Sequence, residues 1–175
     1  MTTITISGLP GTGKSTVAKL LENRLGLHYV YSGEIFRRLA KKYDMSLEEF
    51  GVYCEAHREI DEELDAYQLE VLRKGNVIVE GRIAGWIAYR NKIPAVKILL
   101  DASLVVRAKR IVKRERGDID KRKQEIVKRE QCEASRYQSY YGIDVKDTSI
   151  YDLIIDTGDK TPEQITDIIM QHLGK

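Results

Sequence analysis

The sequence predicts an α/β fold in which helices cover both faces of a parallel sheet. Three observations support this prediction. Five short apolar segments have the composition of buried strands, helical patterns lie between them, and the 175 residues are enough for one domain with a substantial core. The strand segments are residues 2–7, 27–30, 77–80, 96–100 and 152–155. Because strands that alternate with helices form strand–helix–strand units, we expect a single domain spanning residues 1–175.

The first strand is followed by a glycine-rich stretch, which is Gly8-Leu9-Pro10-Gly11-Thr12-Gly13-Lys14-Ser15 and then Thr16. It fits the phosphate-binding pattern of Gly, four residues, Gly, Lys and Ser or Thr. Glycines let backbone N–H groups turn inward, and the helix that follows presents its positive end to an anion. We therefore expect this stretch to bind the phosphates of a nucleoside triphosphate, with Lys14 as a catalytic cation and the Ser15 hydroxyl on Mg²⁺.

The second strand ends at a polar stretch, Ser32-Gly33-Glu34-Ile35-Phe36-Arg37. Two interpretations remain open for it. In one, Ser32 caps the next helix and Arg37 is solvated. In the other, both bind a ligand, because the carboxyl ends of strands in an open α/β sheet face the ligand crevice, and capping is compatible with binding. Residues 46–74 then carry apolar positions at helical spacing and no strand pattern. We expect residues 32–74 to form a helical insertion between two strands.

The third strand ends in Glu80, Gly81 and Arg82. Since this end of the strand faces the same crevice, Glu80 is a candidate for holding Mg²⁺ through water and Arg82 for clamping a phosphate. Asp101, after the fourth strand, is a competing carboxylate. We expect it to act as a hinge or cap before the next helix instead.

Residues 104–140 form a basic helical segment that Gly117 and Asp118 interrupt. Its basic residues are too numerous to bury, so we expect an exposed hairpin or lid. Two sets of charged residues have spacings of three and four that place each set on one helical face. They are Arg107, Arg110 and Arg114, and Arg129, Glu133 and Arg136. Most such charges are solvated, but a closing lid of arginines would neutralise the charge that gathers during phosphoryl transfer and would exclude water.

The last unit of the chain follows the fifth strand. Thr161 has the residue type of a helix cap, and Pro162 suits the first helical position. Isoleucines and a leucine then recur at helical spacing. We expect this final helix only to pack.

Composition and charge narrow the functional classes. Lys and Arg number 29 against 27 Asp and Glu, and the net charge of +2 does not indicate nucleic acid or a membrane as a partner. Cys54 and Cys132 lack metal-ligand or disulfide spacing, which fits a reducing compartment. No apolar run approaches the roughly 18 residues of a membrane span, and no signal peptide is predicted. We expect a cytoplasmic monomer whose partners are small nucleotides.

Taken together, these motifs resemble those of the nucleoside monophosphate kinases, and within them the cytidylate kinases of the compact archaeal type. The resemblance covers nearly the whole chain. The phosphate loop is shared by many families, but four further motifs occur in the order typical of this one. They are Ser32-Gly33 with Arg37, Glu80-Gly81-Arg82, Leu100-Asp101-Ala102-Ser103, and Arg129 with Glu133 and Arg136.

The resemblance implies a three-layer α/β/α P-loop kinase with a five-stranded parallel sheet, a helical insertion that binds the monophosphate, and a basic lid. It implies transfer of the γ-phosphoryl group of ATP to CMP or dCMP with Mg²⁺, in pyrimidine metabolism. The lid arginines Arg107, Arg110 and Arg114 are implied to hold the donor and the transferring group. The implied acceptor ligands are Ser32, Arg37, Arg82, Arg129, Glu133 and Arg136.

Two positions depart from the pattern of the family. Ile83 stands where bacterial cytidylate kinases have an aspartate that helps to read cytosine, and Glu133 stands where aspartate is usual. The helical insertion could supply the missing carboxylate, or base specificity could be relaxed. AMP or UMP therefore remain alternative acceptors, and a nucleic-acid-binding ATPase is a remote alternative. A switch GTPase is not supported, because the only Asn-Lys pair lies in Asn91-Lys92-Ile93-Pro94, which ends in proline where guanine recognition requires aspartate.

Overall fold

Five parallel strands form one sheet in the computed structural model, which describes residues 2–175. The strand order is β2-β3-β1-β4-β5. Every neighbouring pair is parallel, and the register places Ile6 beside both Glu80 and Ile98. The strands are β1 (Ile4–Ser7), β2 (His28–Tyr31), β3 (Val77–Glu80), β4 (Val96–Asp101) and β5 (Leu153–Asp156). The predicted five-stranded parallel sheet is confirmed, and only the strand ends differ, by one or two residues.

The described part of the chain also forms eight helices. They are α1 (Lys14–Leu25), α2 (Ser32–Lys42), α3 (Leu47–Ala56), α4 (Arg58–Lys74), α5 (Ala84–Arg90), α6 (Leu104–Glu115), α7 (Ile119–Tyr141) and α8 (Pro162–His172). Thr161 caps α8 and exchanges hydrogen bonds with Gln164, so the predicted start of this helix is confirmed. None of the helices within residues 2–175 is both long and apolar enough to cross a membrane.

The core lies on both faces of the sheet, which gives the fold three layers. On β3, alternate side chains point to opposite faces, so Ile78 joins one apolar cluster and Val79 joins the other. The Ile78 cluster includes residues of α1 and α8, whereas the Val79 cluster includes residues of α4, α5 and α7. Burial on both faces explains why this strand is a continuous apolar run.

The insertion and the basic segment each have a small core of their own. Phe50 and Cys54 of α3 pack with Ala40 of α2 and Ile60 of α4. In the basic segment, Ala108, Ile111 and Ile126 pack α6 against α7. The interruption between α6 and α7 falls at Gly117 and Asp118, as predicted, and the Asp118 side chain caps α7.

Three sequence-based expectations differ from the structure. Ser32 does not cap α2, because its hydroxyl donates to the Glu80 carbonyl at 2.6 Å. Asp101 is not the cap of α6 either, since Ser103 takes that position and the Asp101 carboxylate accepts from the Ala102 N–H. The basic segment is not wholly exposed: Arg107 and Arg136 are buried because carbonyl and carboxylate groups surround their guanidinium groups.

Candidate active site

A cavity of about 840 Å³ opens at the carboxyl ends of β1, β2 and β3. Its volume lies toward the upper end of the range of roughly 300–1,000 Å³ that is usual for ligand pockets. The phosphate loop forms one wall, and α2, α4, α6 and α7 supply the others. In the sheet order, β1 lies between β3 and β4, so this is the switch point at which open α/β sheets bind ligands.

Backbone geometry shapes the phosphate loop. Gly11 and Gly13 have φ values of 83° and 93°, a conformation that residues with a side chain rarely adopt. A Cβ on Gly11 would lie 2.7 Å from the Arg107 carbonyl oxygen, so space as well as φ demands glycine there. Because α1 begins at Lys14, the unpaired N–H groups of its first turn lie at the cavity wall.

The Lys14 ammonium is buried against the loop. Its side chain donates to the Leu9 carbonyl at 2.9 Å. Burial, reinforced by the charge of Arg82, lowers the pKa of Lys14 to about 7. A nearby phosphate would reverse this shift because an anion favours the charged form of the amine.

Ser15 and Glu80 lie side by side, as the pairing of β1 with β3 dictates. The Ser15 hydroxyl donates to one carboxylate oxygen of Glu80 at 3.1 Å, and the Tyr29 hydroxyl donates to the other. Glu80 is only 1% exposed. Within residues 2–175 no cluster of three or more His, Cys, Asp or Glu could hold a metal ion. One hydroxyl and one carboxylate still fit Mg²⁺, which usually takes few protein ligands and completes its shell with waters and phosphates.

Arg82 and Arg129 form a charge network around the buried carboxylate of Glu133. Arg82 donates to one oxygen of the Glu133 carboxylate at 2.6 Å, and Arg129 donates to the other at 2.9 Å. Burial alone would raise the pKa of Glu133, but Arg82 and Arg129 hold it down at about 2. Arg82 also donates to the Gly8 carbonyl at 3.0 Å, which ties this network to the phosphate loop.

A second buried ion pair joins α7 to the insertion. Arg136 donates to the Asp61 carboxylate at 2.8 Å and to the Gly51 carbonyl at 3.1 Å. Burial raises the pKa of Asp61, and the charge of Arg136 offsets part of that rise. Arg136 therefore holds α3, α4 and α7 together while it lines the cavity.

Ser32 and Arg37 line the cavity from α2. The Arg37 guanidinium lies over the Tyr31 ring, 5.7 Å from its centre, and is otherwise exposed. Ser32 is fixed by its bond to the Glu80 carbonyl. The structure thus brings these two residues to the same cavity as Arg82, although neither of the earlier interpretations of Ser32 anticipated that bond.

Arg107, Arg110 and Arg114 do not all face the cavity. Arg114 lines the cavity, but Arg107 and Arg110 do not. Arg107 donates to the Pro10 carbonyl at 3.3 Å, and Arg110 donates to the Gly11 carbonyl at 3.4 Å. These two side chains therefore contact the outside of the phosphate loop, because α6 crosses it there. The expected direct contact of Arg107 and Arg110 with the transferring group does not agree with this geometry.

Within the phosphate loop, the cavity wall consists of six of the residues predicted to bind ATP. They are Pro10, Gly11, Gly13, Lys14, Ser15 and Thr16. Gly8, Leu9 and Thr12 lie behind this wall, where Leu9 accepts from the Thr12 hydroxyl at 2.9 Å. Their place in the site is to set the curvature of the loop.

Sequence reasoning missed several polar residues that line the cavity, among them Arg122, Asp65 and Gln68. Asp65 and Gln68 lie on the inward side of α4 together with Asp61, at spacings of four and three. Polar residues at helical spacing between buried Ile60 and Leu72 are the signal that could have revealed them. Arg122 gave no comparable signal, since it stands among other basic residues.

Sequence comparisons show which known proteins this chain is similar to. A profile of the "Cytidylate kinase-like family" matches residues 3–159. A cytidylate kinase of Methanocaldococcus jannaschii is 47% identical over 95% of this chain and 94% of its own length. A cytidylate kinase of Pyrococcus horikoshii is also 47% identical, over 95% of this chain and 85% of its own.

Solved structures share the fold at low sequence identity. An uncharacterised protein from Eubacterium ventriosum superposes with a TM-score of 0.73 at 19% identity, covering 100% of this chain and 99% of the other. A shikimate kinase from Bacteroides thetaiotaomicron gives 0.64 at 15% identity, with 99% of both chains covered. These matches confirm the predicted three-layer P-loop kinase fold.

Proposed function

The chain belongs to the cytidylate kinase-like family, and we propose that it is an ATP-dependent kinase that phosphorylates CMP. The γ-phosphoryl group of ATP passes to CMP, or to dCMP, and gives ADP with CDP or dCDP. The relatives that carry the cytidylate kinase name align with nearly the whole chain, which supports the same reaction here.

The observation that carries this proposal is a single cavity with two differently built ends. One end is the phosphate loop with Lys14, Ser15 and Glu80. The other is lined by arginines from three different elements, which are Arg37, Arg82, Arg129 and Arg136. Guanidinium groups suit phosphate recognition because of their planar, multiple donors. A nucleoside triphosphate at the first end would therefore face a phosphorylated acceptor at the second.

The proposed reaction needs no general base. The second ionisation of a phosphate monoester lies near pH 6, so the attacking oxygen of CMP is mostly deprotonated at neutral pH. His28, His57 and His172 are absent from the cavity lining, as far as residues 2–175 define it. The work of the site is to position the two nucleotides and to stabilise charge, which is the usual basis of enzymatic phosphoryl transfer.

We assign separate tasks to the residues around the cavity. Lys14 and the N–H groups at the start of α1 bind the donor phosphates, while Ser15 directly and Glu80 through water hold Mg²⁺. An Mg²⁺ ion held there would supply positive charge to offset that of the donor phosphates. Arg114 and Arg122 approach from α6 and α7, where they can neutralise the transferring group. Arg107 and Arg110 position the loop through its carbonyls.

The proposal also assigns the two helical segments. The insertion, residues 32–74, holds the acceptor, and the basic segment, residues 104–140, acts as the lid that excludes water from the transferring group. Ser32 and Arg37 contact the acceptor from α2, and Glu133 orients Arg82 and Arg129 toward its phosphate.

A coupled assay of ADP release tests the proposal. The purified chain is given ATP and Mg²⁺ with CMP, dCMP, UMP, AMP or GMP in turn, and kcat/KM is compared. We expect CMP or dCMP to be the best acceptor, with little ADP released when no monophosphate is present. A higher kcat/KM for AMP or UMP than for CMP would overturn the choice of acceptor, and equal ADP release without any acceptor would overturn the kinase itself.

A further inference from the structure

Gln68 on α4 carries a buried polar atom with no partner. The residue is only 4% exposed, and it lines the cavity. Its side-chain nitrogen donates to the Asp65 carboxylate at 3.2 Å. Its side-chain oxygen is buried and accepts no hydrogen bond from residues 2–175. Because an unpaired buried acceptor is unfavourable, its place in a ligand cavity points to a ligand that donates a hydrogen bond.

The orientation of this amide is set by Asp65. An ionised carboxylate can only accept hydrogen bonds, so the amide nitrogen of Gln68 must face Asp65 and the amide oxygen must face the other way. Gly81 leaves room for that oxygen, because a Cβ at this position would lie 2.8 Å from it. The oxygen of Gln68 therefore has a fixed direction, toward Gly81, which is itself part of the cavity lining.

Cytosine and uracil differ in the groups they could offer to this acceptor. Cytosine carries an exocyclic amine at C4, which donates, whereas uracil carries a carbonyl there, which only accepts. A carboxamide that is free to rotate could match either base by exchanging its oxygen and nitrogen. A carboxamide that is fixed with its oxygen toward the ligand matches cytosine and repels the carbonyl of uracil.

We propose that Gln68, with its orientation fixed by Asp65, selects cytosine over uracil in the acceptor nucleotide. This inference rests on the proposed function, since it concerns which pyrimidine monophosphate is phosphorylated. Ile83 cannot take this role, because its apolar side chain is buried in the core beside β3. Adenine also bears an exocyclic amine, so Gln68 sets the choice between pyrimidines and does not exclude purines.

The protonation of Asp65 provides a second test of the proposal, which is the pH dependence of the preference for CMP. Burial raises the pKa of Asp65 to about 7, and Asp61 on the same helix adds to the rise while Arg136 on α7 opposes it. Tyr141, also on α7, lowers the pKa of Asp65, and Tyr137 on the same helix faces Asp65 as well. Once protonated, Asp65 can donate a hydrogen bond, so it no longer fixes the amide. The preference for CMP over UMP therefore falls as the pH is lowered through about 7. The phosphate groups of CMP and UMP ionise alike, so their ionisation cancels in the ratio of the two kcat/KM values.

The test compares kcat/KM for CMP and UMP in the Asp65→Asn and Gln68→Leu variants, with KM for ATP as a common check. Asn at position 65 can donate or accept, so Gln68 becomes free to rotate, and we expect the CMP-to-UMP ratio to fall about tenfold or more and to lose its pH dependence. Gln68→Leu removes the acceptor, which lowers kcat/KM for CMP and leaves that for UMP nearly unchanged. Gln138→Leu, an exposed change on α7, is the matched control and keeps the wild-type ratio.

The outcomes separate this inference from the proposed function. If the wild-type protein does not phosphorylate CMP, the proposed function fails. If it prefers CMP and folded Asp65→Asn keeps both the ratio and its pH dependence, only the role of Gln68 and Asp65 is wrong. Should Asp65→Asn fail to fold, Gln68→Leu and the wild-type pH profile decide: an unchanged ratio in the variant or a flat profile in the wild type overturns the proposal.

Discussion

The two ends of the cavity are built by different means. At the phosphate-loop end, a continuous stretch from Gly8 to Thr16 sits on the sheet and offers backbone N–H groups and one ammonium. At the arginine end, side chains from α4, from α7 and from the turn after β3 meet through largely buried ion pairs such as Arg82 with Glu133 and Arg136 with Asp61. The first end is a property of local backbone geometry, whereas the second exists only once distant segments have packed.

This difference predicts how each end responds to mutation. Removing a functional side chain from the loop leaves the backbone cradle in place, so activity falls while the fold survives. Removing one partner of a buried ion pair leaves an uncompensated charge, which destabilises the fold itself. At the arginine end, stability and acceptor binding should therefore change together.

The largest effect is expected for Lys14→Ala. Loss of the ammonium should lower kcat about 10³-fold, the usual scale for removing one group that stabilises transition-state charge. The free energy of urea unfolding should not fall, because the lowered pKa of Lys14 shows that its buried charge gains nothing from folding. Near-normal turnover would contradict the role of Lys14 in catalysis. A large loss of stability would contradict the difference between the two ends of the cavity.

Glu133→Gln tests the arginine end. The change leaves Arg82 and Arg129 without their carboxylate, and we expect a loss of about 3 kcal/mol in the free energy of unfolding, as for other broken buried pairs. KM for CMP should rise more than KM for ATP, because both guanidinium groups lose their orientation. An unfolding curve that matches the wild type at pH 7 would contradict the account.

The stability difference between the wild type and Glu133→Gln should also depend on pH. Because the pKa of Glu133 is lowered to about 2 in the fold, its stabilisation is fully present above the ordinary glutamate pKa near 4.5 and is lost as the pH falls toward about 2. The stability difference between wild type and Glu133→Gln should therefore shrink between pH 5 and pH 3, in urea titrations at each pH. A constant difference over that range would show that the carboxylate charge is not what stabilises the network.

Proton uptake on ATP binding tests the protonation state of Lys14 at the phosphate-loop end. Since the pKa of Lys14 is about 7 in the fold, the amine is largely neutral at pH 8, and donor phosphates should restore its charge. Binding of ATP at pH 8 should then take up as much as about one proton, which titration calorimetry in buffers of different ionisation enthalpy measures directly. The Lys14→Ala variant should show no such uptake beyond that of the nucleotide itself.

The smallest effect is expected for Lys128→Ala. Lys128 pairs with Glu48 across the opening between α7 and α3, but both side chains are exposed, at 66% and 48%. Exposed pairs contribute little and are screened by salt. The urea midpoint and both KM values should match the wild type, which makes this variant the control for Glu133→Gln. A marked loss would mean that surface pairs also hold the arginine end together.

The contrast between a continuous loop and a set of distant side chains also explains which parts of the site the sequence could predict. The phosphate loop was predictable because its residues are consecutive and their types follow from backbone geometry. Arg82 and Glu133 were each flagged by type and spacing, but 51 positions separate them, and nothing in the spacing predicts that they form a pair. Asp65 and Gln68 went unnoticed because their polar types suit the exposed side of a helix, whereas α4 places Gln68 among its buried residues.

Arg107 and Arg110 show the limit of helical spacing most clearly. Their spacing predicts one face shared with Arg114, but only Arg107 is buried in α6 and only Arg114 lines the cavity. Spacing does not indicate, however, which turn of α6 crosses the phosphate loop. Since the loop carbonyls meet the first turns, Arg107 and Arg110 bond to the loop and only Arg114 reaches the cavity.

The central claim is that one cavity holds both nucleotides, and a linked ligand tests it most directly. Adenosine joined to cytidine through five phosphates can span both ends at once. Calorimetry should give one molecule bound per chain, with ATP and CMP each able to displace it and with affinity lost in Lys14→Ala and in Glu133→Gln. Displacement by ATP but not by CMP, or an affinity that Glu133→Gln leaves intact, would contradict a shared cavity with an acceptor end built on arginines.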